Sequence, residues 1–206
     1  AVVGLGLTGL CAVRFLLRHN ITPHVYDSRE NPNLSEQQQA LLEPLQSHFG
    51  PFGDEQFKPY DYVIVSPGIS LATPALANAR RVNDNVFCDV ELFARLNTKP
   101  VLAVTGSNGK STVVAWLEHV LNAIGKKAVA CGNYGVPVLD VLEQDFDVYI
   151  LELSSFQLES TNSLECKAAT VLNVSEDHMD RYDSLEHYSI AKSKIYLHAQ
   201  TCLYNH

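Results

Sequence analysis

Basic charge is scarce in this chain. Fifteen Lys and Arg face 23 Asp and Glu, for a formal net charge of −8, and no basic block breaks the pattern. A surface that neutralises phosphate backbones needs clustered cations, so no nucleic-acid partner is expected. Long apolar runs are missing as well; none approaches the roughly 20 residues of a bilayer-crossing helix. The opening residues lack the basic segment of a signal peptide. A cytoplasmic, soluble protein with no membrane partner follows as the expectation. The five cysteines, Cys11, Cys88, Cys131, Cys166 and Cys202, show no CxxC or zinc-finger spacing, and are expected to be isolated buried thiols of a reducing compartment. Internal repeats and low-complexity tracts are absent.

What is present is a globular composition: 206 residues, 46% hydrophobic and 18% charged, enough for one large domain or two small ones with a real core. The chain opens on Ala1 inside an apolar run and closes on a strand-like run, 201–205. Both ends look cut, so a piece of a longer protein is expected.

The most informative stretch is 101–112, VLAVTGSNGKST. Residues 101–104 read as a buried strand and 105–109 as a small-residue loop. Lys110, Ser111 and Thr112 open a helix with apolar positions Val113, Val114, Leu117, Val120, Leu121 and Ile124, stopped at Gly125. Amides at such a helix start converge on one spot, where the helix dipole adds positive potential. Gly106, Ser107, Asn108, Gly109, Lys110, Ser111 and Thr112 are therefore expected to cradle a polyphosphate. Lys110 would reach the terminal phosphates, and the Ser111 or Thr112 hydroxyl the accompanying magnesium. The loop is a variant, G-x-x-G-K-S-T, with Val104 where the general pattern has its first glycine.

Earlier in the chain, Gly4-Leu5-Gly6-Leu7-Thr8-Gly9 completes G-x-G-x-x-G between a strand and a helix. A second strand, 23–26, ends on Asp27, 18 residues after Gly9. Together these form the dinucleotide fingerprint. The later strands look sparse, at 62–65 before Ser66-Pro67-Gly68 and at 86–87, and a hydride-transfer enzyme has no use for a second phosphate loop. A diphosphate on the Leu7 and Thr8 amides, with Asp27, Ser28 and Arg29 at the sugar or base, is favoured over NAD. An unliganded turn and a nicotinamide oxidoreductase stay open as alternatives. One helix is read over 35–48 and another over 89–96. The domain boundary is set at Cys88/Asp89, giving 1–88 as a Rossmann-like substrate domain and 89–206 as an incomplete ATP-binding domain with a parallel sheet.

Further strands are expected at 128–130, 147–153 and 168–174, each ending in a polar segment. In a parallel α/β sheet ligands sit at the carboxyl ends of strands. Glu152, at such an end, is an expensive place for a carboxylate unless a cation meets it, and is assigned to magnesium. His178, flanked by Asp177 and Asp180, could meet a second magnesium or a substrate phosphate. A helix over 185–199 puts Tyr188, Ala191, Ile195 and Ala199 on its inner face and Lys192 at the edge, where a snorkelling side chain is the plain expectation.

In order and spacing, the segments GLGLTG (4–9), SPGI (66–69), DVELF (89–93), TGSNGKST (105–112), GNYG (132–135), ELSSFQLE (152–159), LNVSEDHMDRY (172–182) and AKSKIY (191–196) make the chain resemble the Mur ligase family along nearly its whole length. GLGLTG with ELSSFQLE favours the member that adds D-glutamate to UDP-N-acetylmuramoyl-L-alanine over its sister ligases. The resemblance implies a cytoplasmic, monomeric, three-domain enzyme of peptidoglycan precursor synthesis using ATP and Mg2+. It places Leu7, Thr8, Ser28, Arg29, Ser66 and Gly68 on the UDP moiety, and Asn133, Ser154 and His178 on the remainder of the substrate. Lys110 would neutralise the triphosphate, Ser111 and Glu152 would hold one magnesium, and Lys192, as a carbamate, would hold a second with His178. Two positions depart from the family pattern: Cys131 stands where glycine is common, and the loop at Asp183 and Ser184 is one residue short. The D-glutamate pocket, on a third domain, should be missing from this chain.

Overall fold

The computed structural model describes residues 1–204, and the chain forms two compact units, Ala1–Asp89 and Val90–His206. The first unit holds five short parallel strands, β1 (Val2–Val3), β2 (Val25–Asp27), β3 (Ser47–Phe49), β4 (Val63–Val65) and β5 (Val86–Phe87), in the order β3-β2-β1-β4-β5. Helices α1 (Leu7–Arg18), α2 (Glu36–Leu42) and α3 (Pro74–Arg80) complete it. The sheet's direction of growth reverses at β1, between β2 and β4, the crevice where such folds bind nucleotides. Val3, Tyr26, Phe57, Val63, Val65, Leu76 and Val86 form its core. The Val-rich strands are buried throughout, as strands covered on both faces must be.

One expectation fails here. The helix read over 35–48 ends at Leu42, and Ser47–Phe49 forms an edge strand instead. Ser35 and Gln38 start the helix with a capping box. Pro44 lacks the amide that would continue it. The strand beyond is half-exposed and polar, so no apolar alternation announces it; it is held by stacking of His48 on Tyr26 at 4.7 Å.

The second unit begins within α4 (Asp89–Leu96) and orders its parallel strands β10-β9-β6-β8-β7: β6 (Val101–Thr105), β7 (Ala128–Gly132), β8 (Val148–Glu152), β9 (Ala168–Val171) and β10 (Cys202–Tyr204). Its helices are α5 (Lys110–Ala123), α6 (Val138–Val141), α7 (Ser155–Glu159) and α8 (Leu185–Ser193), the last running into a 3-10 turn, Lys194–Tyr196, so the helix expected to reach 199 is shorter. The strand expected over 168–174 stops at Val171, because residues 172–175 turn away to bond the phosphate loop. Of the strand-like run 201–205, residues 202–204 form β10 and Asn205 lies outside the described residues.

Val104, Val114, Ala128, Ala130, Val148 and Ile150 make the core under α5, with Val113, Leu117 and Leu121 packed against it. Full burial of each Val or Ile side chain among them contributes about 1.5–3 kcal/mol. Val120 and Ile124, expected on that buried stripe, are exposed beside Trp116. Val120 sits at the outer edge of the stripe, one turn after the exposed Trp116, and Ile124 is already the C-cap of α5, past its last turn. Four cysteines are buried as expected, but Cys202, on the edge strand, is exposed. Among the described residues no helix is long and apolar enough to cross a membrane.

Candidate nucleotide and metal site

β6 ends at Thr105, and α5 begins after Gly109, which caps it in the left-handed region at φ +82° without side-chain strain. No side chain caps α5, so the amides of Lys110, Ser111 and Thr112 have no acceptor inside the helix and remain available to an anion. The loop is braced from outside by Asn173. Its carbonyl accepts the Ser107 amide at 3.0 Å, its Oδ1 accepts the Asn108 amide at 2.9 Å, and its Nδ2 donates to the Asn108 carbonyl at 3.0 Å. The Ser107 and Asn108 amides, expected in the cradle, are thus engaged by the protein. Ser107 Oγ is tied to the Ser175 amide at 3.0 Å and its carbonyl at 3.1 Å.

Two ammonium groups meet at this loop. Lys110 Nζ donates to the Gly106 carbonyl at 2.8 Å and the Ser107 carbonyl at 3.1 Å. Lys192 Nζ donates to the same Gly106 carbonyl at 2.9 Å and lies 4.4 Å over the Tyr188 ring. Lys192 is only 1% exposed, so the snorkelling expectation is wrong: the side chain points inward from α8, not along its edge. Burial first, then the like charge of Lys110, push its ammonium down to about 8, against the attraction of Asp177.

Glu152, the last residue of β8, lies opposite Val104, one residue before the loop begins. It is 2% exposed; Oε1 accepts from Asn133 Nδ2 at 2.8 Å, whereas Oε2 is buried with no hydrogen-bond partner. A buried carboxylate oxygen left unpaired is costly unless a cation completes it. Among the described residues no three His, Cys, Asp or Glu side chains converge as a metal cage. That suits magnesium, which takes one or two carboxylates or hydroxyls and fills its shell with phosphate oxygens and water. The donor set therefore fits a nucleotide-borne cation and not a resident zinc.

The other expected residues of this unit fall nearby along the chain's polar strand ends. Asn133 is engaged with Glu152 through both side chain and backbone. Ser154 caps α7 in a box with Gln157, so its hydroxyl is already in use. His178 adopts φ +55°, its Nε2 lies 3.6 Å from Asp177 Oδ2, and its ring packs 4.8 Å from Phe156.

In the first unit the G-x-G-x-x-G turn is tight: a Cβ on Gly9 would stand 1.7 Å from the Gly4 carbonyl oxygen, so only glycine fits. Leu7 and Thr8 open α1, whose first turn has no side-chain cap, and Leu7 is exposed. Ser66 Oγ donates to the Gly4 carbonyl at 2.8 Å, pinning the turn to the end of β4. Ser28 and Gly68 are exposed. Asp27 is buried and already occupied: Oδ2 accepts the Leu5 amide at 2.8 Å and Arg29 Nη2 at 2.7 Å, and Oδ1 accepts Arg29 Nε at 2.8 Å. Burial raises its carboxyl, but the Arg29 and Leu5 hydrogen bonds outweigh that and hold it below its ordinary range. In a dinucleotide fold this acid would be free for ribose hydroxyls; here it orients Arg29 and the turn.

Sequence reasoning missed Asn173, whose position just past a strand end was the only hint. It also missed Thr105, whose Oγ1 donates to the Leu153 carbonyl at 2.7 Å and locks two strand ends together.

The model of the MurD-like Mur ligase N-terminal domain matches residues 1–87, and that of the Mur ligase middle domain matches 104–205. The UDP-N-acetylmuramoylalanine–D-glutamate ligase of Pseudoalteromonas translucida is 51% identical over 99% of this chain and 47% of its own length. That of Escherichia coli K12 is 44% identical over 99% and 46%. The chain spans about half the length of the curated relatives it matches. Among solved structures, the UDP-N-acetylmuramate:L-alanyl-gamma-D-glutamyl-meso-diaminopimelate ligase of Neisseria meningitides has a TM-score of 0.59 at 15% identity, covering 99% of this chain and 70% of that one. The UDP-N-acetylmuramate-alanine ligase of Thermotoga maritima has 0.53 at 23%, covering 98% and 48%, and both share the fold of two parallel α/β units. With domain models of one family matching along most of its length, the chain belongs to the Mur ligase family, of which it carries N-terminal and middle domains.

Proposed function

We propose that this chain is the nucleotide-binding half of an ATP-dependent amide ligase that joins D-glutamate to UDP-N-acetylmuramoyl-L-alanine in peptidoglycan precursor synthesis. The observation that carries the reading is Glu152, a buried carboxylate with one oxygen unpartnered, beside a glycine-rich loop that ends in Lys110 and Ser111. The identity of 44–51% to ligases named for this reaction supports the choice of substrate. Residues 1–88 are the UDP-substrate domain and 89–206 the ATP domain.

On this reading the alanyl carboxylate oxygen attacks the ATP γ-phosphorus, ADP leaves, and the acyl phosphate is then attacked by the D-glutamate amine, releasing phosphate. No protein nucleophile is required. Lys110 leaves its two loop carbonyls for the β- and γ-phosphates, and the Lys110, Ser111 and Thr112 amides fix the phosphate chain. Ser111 and Glu152 would hold the magnesium, which supplies charge neutralisation. Asn133 aims Glu152. Lys192, with its ammonium pushed down to about 8, keeps enough neutral amine to take up CO2 as a carbamate, turning a buried cation into an anionic ligand; His178 stands with it. In the first unit Leu7, Thr8, Ser66 and Gly68 hold the diphosphate while Ser28 and the Asp27-oriented Arg29 reach the uridine.

The test is ADP release by a full-length protein carrying this sequence. Release only when UDP-N-acetylmuramoyl-L-alanine and D-glutamate are both present is expected. ADP release independent of either would instead indicate a nucleotide-driven switch.

A further inference from the structure

His178 sits in a backbone conformation that a β-carbon disfavours, at φ +55°, and such a residue stays there only when its surroundings over-determine it. Its amide donates to Asp177 Oδ1 at 3.0 Å and its ring meets Tyr188 edge-on at 6.3 Å, and the remaining restraints converge on one carboxylate. The His178 carbonyl accepts the amides of Arg181 at 2.9 Å and Tyr182 at 3.2 Å, closing a tight turn. Both closing residues are gripped by Glu159 on α7: Tyr182 Oη donates to Oε1 at 2.6 Å, and Arg181 Nη2 lies 3.7 Å from Oε2. The Arg181 guanidinium covers the Phe156 ring at 4.0 Å, Tyr182 stacks parallel to it at 6.0 Å, and the His178 imidazole leans on it at 4.8 Å. Lys194 Nζ donates to the Glu159 carbonyl at 2.9 Å, tying the end of α7 to the segment after α8. Phe156 and Glu159 are three residues apart on α7 and so share its face.

We infer that Glu159 is a positioning residue for His178: through Tyr182 and Arg181 it sets the left-handed turn and holds the imidazole on the Phe156 ring. The inference rests on the ligase reading for its kinetic consequence but not for its structural one. Glu159 touches no reacting atom, and its carboxylate acts only through the turn. Glu159→Gln keeps an acceptor for Tyr182 and gives up the charge facing Arg181. Glu159→Ala gives up both.

The direct test is NMR of the His178 ring protons in this chain, where the Phe156 ring current makes them a ruler of position. Glu159→Ala is expected to move them to free-histidine values, with Glu159→Gln staying near wild type. In the full-length ligase, Glu159→Ala is expected to lower kcat about 10- to 100-fold, leaving KM for ATP unchanged, and Glu159→Gln to recover most of the loss. Unmoved His178 resonances in folded Glu159→Ala overturn the inference. So does a moved imidazole with normal kcat. Should Glu159→Ala fail to fold, Tyr182→Phe replaces it and must produce the same shift. A moved imidazole in a protein whose ADP release ignores D-glutamate supports the clamp and overturns the ligase reading alone.

Discussion

Replacing Glu152 by Gln separates a ligand-binding carboxylate from a structural one, because loss of the first role lowers only the stability gained from ligand and loss of the second lowers the stability of the chain alone. In the ligand-free chain Glu152 Oε2 is buried with no partner, a state that costs about 1–3 kcal/mol. The amide keeps the bond from Asn133 Nδ2 through its oxygen and removes the buried charge. The amide nitrogen is no better partnered than the oxygen it replaces, so the variant alone should unfold within about 1 kcal/mol of the wild type. With Mg·ATP at a hundred times its Kd, the wild type gains about 2.7 kcal/mol by mass action. At about 4–8 °C per kcal/mol for a unit of roughly a hundred residues, the melting temperature rises by about 10–20 °C. Loss of one anionic ligand should weaken binding about 10- to 100-fold, removing about 1.4–2.7 kcal/mol of that gain. Differential scanning fluorimetry with and without Mg·ATP reads both effects. A Glu152→Gln protein that is less stable alone, yet keeps the full ligand shift, would refute the assignment and make Glu152 a framework residue.

Lys110→Ala in the full-length protein should abolish ligase turnover while the unliganded melting temperature shifts little; retained turnover would contradict its phosphate role. Lys192, depressed from 10.5 to about 8, is charged at a cost below pH 8. Because the unfolded chain binds the extra proton between pH 8 and 10.5, stability should rise with pH across that window, and Lys192→Met should flatten the rise in chemical denaturation. A 13C carbamate signal from labelled bicarbonate should grow from pH 7 to 9 and vanish in the same variant. Glu91 is buried, which raises its carboxyl, but the amides of Asn162 and Ser163 and the Arg95 side chain more than offset this and hold it below 4.5. Its contribution is complete above pH 4.5 and is lost as pH falls through the folded value. Glu91→Ala leaves the Asn162 and Ser163 amides without their acceptor and should destabilise the second unit by about 1–3 kcal/mol, and Glu91→Gln should blunt the acid limb of the melting curve. Asp27→Ala frees Arg29 and the Leu5 amide, and UDP binding followed by calorimetry should weaken about tenfold; unchanged affinity would remove Asp27 from the site's support.

Much of this architecture was legible because its strongest local signals agree with the fold. The run 101–112 names its strand, loop and helix by composition alone, and Gly125 ends that helix where expected, at φ +84°. Periodicity failed where the chain is polar: β3 is an edge strand without an apolar face, and α3, opened by Pro74, carries alanines too small to mark a stripe. The sites divide the same way. Residue type and strand-end position singled out Glu152 and Lys110 as candidates, but not which groups the protein itself occupies. Asp27 and Ser154 turn out to be bonded within their own turns, and Lys192 is buried and not at a helix edge. The burial of Lys192 against the Gly106 carbonyl and the bracing of Asn108 by Asn173 depend on contacts between residues far apart in sequence, which no local pattern encodes.

Calorimetric titration of this chain with ATP in magnesium, set beside NADH, tests the central claim most directly. One ATP should bind per chain, only with magnesium, and binding should weaken in both Lys110→Ala and Glu152→Gln while NADH gives no heat. Binding of NADH with none of ATP would contradict the account.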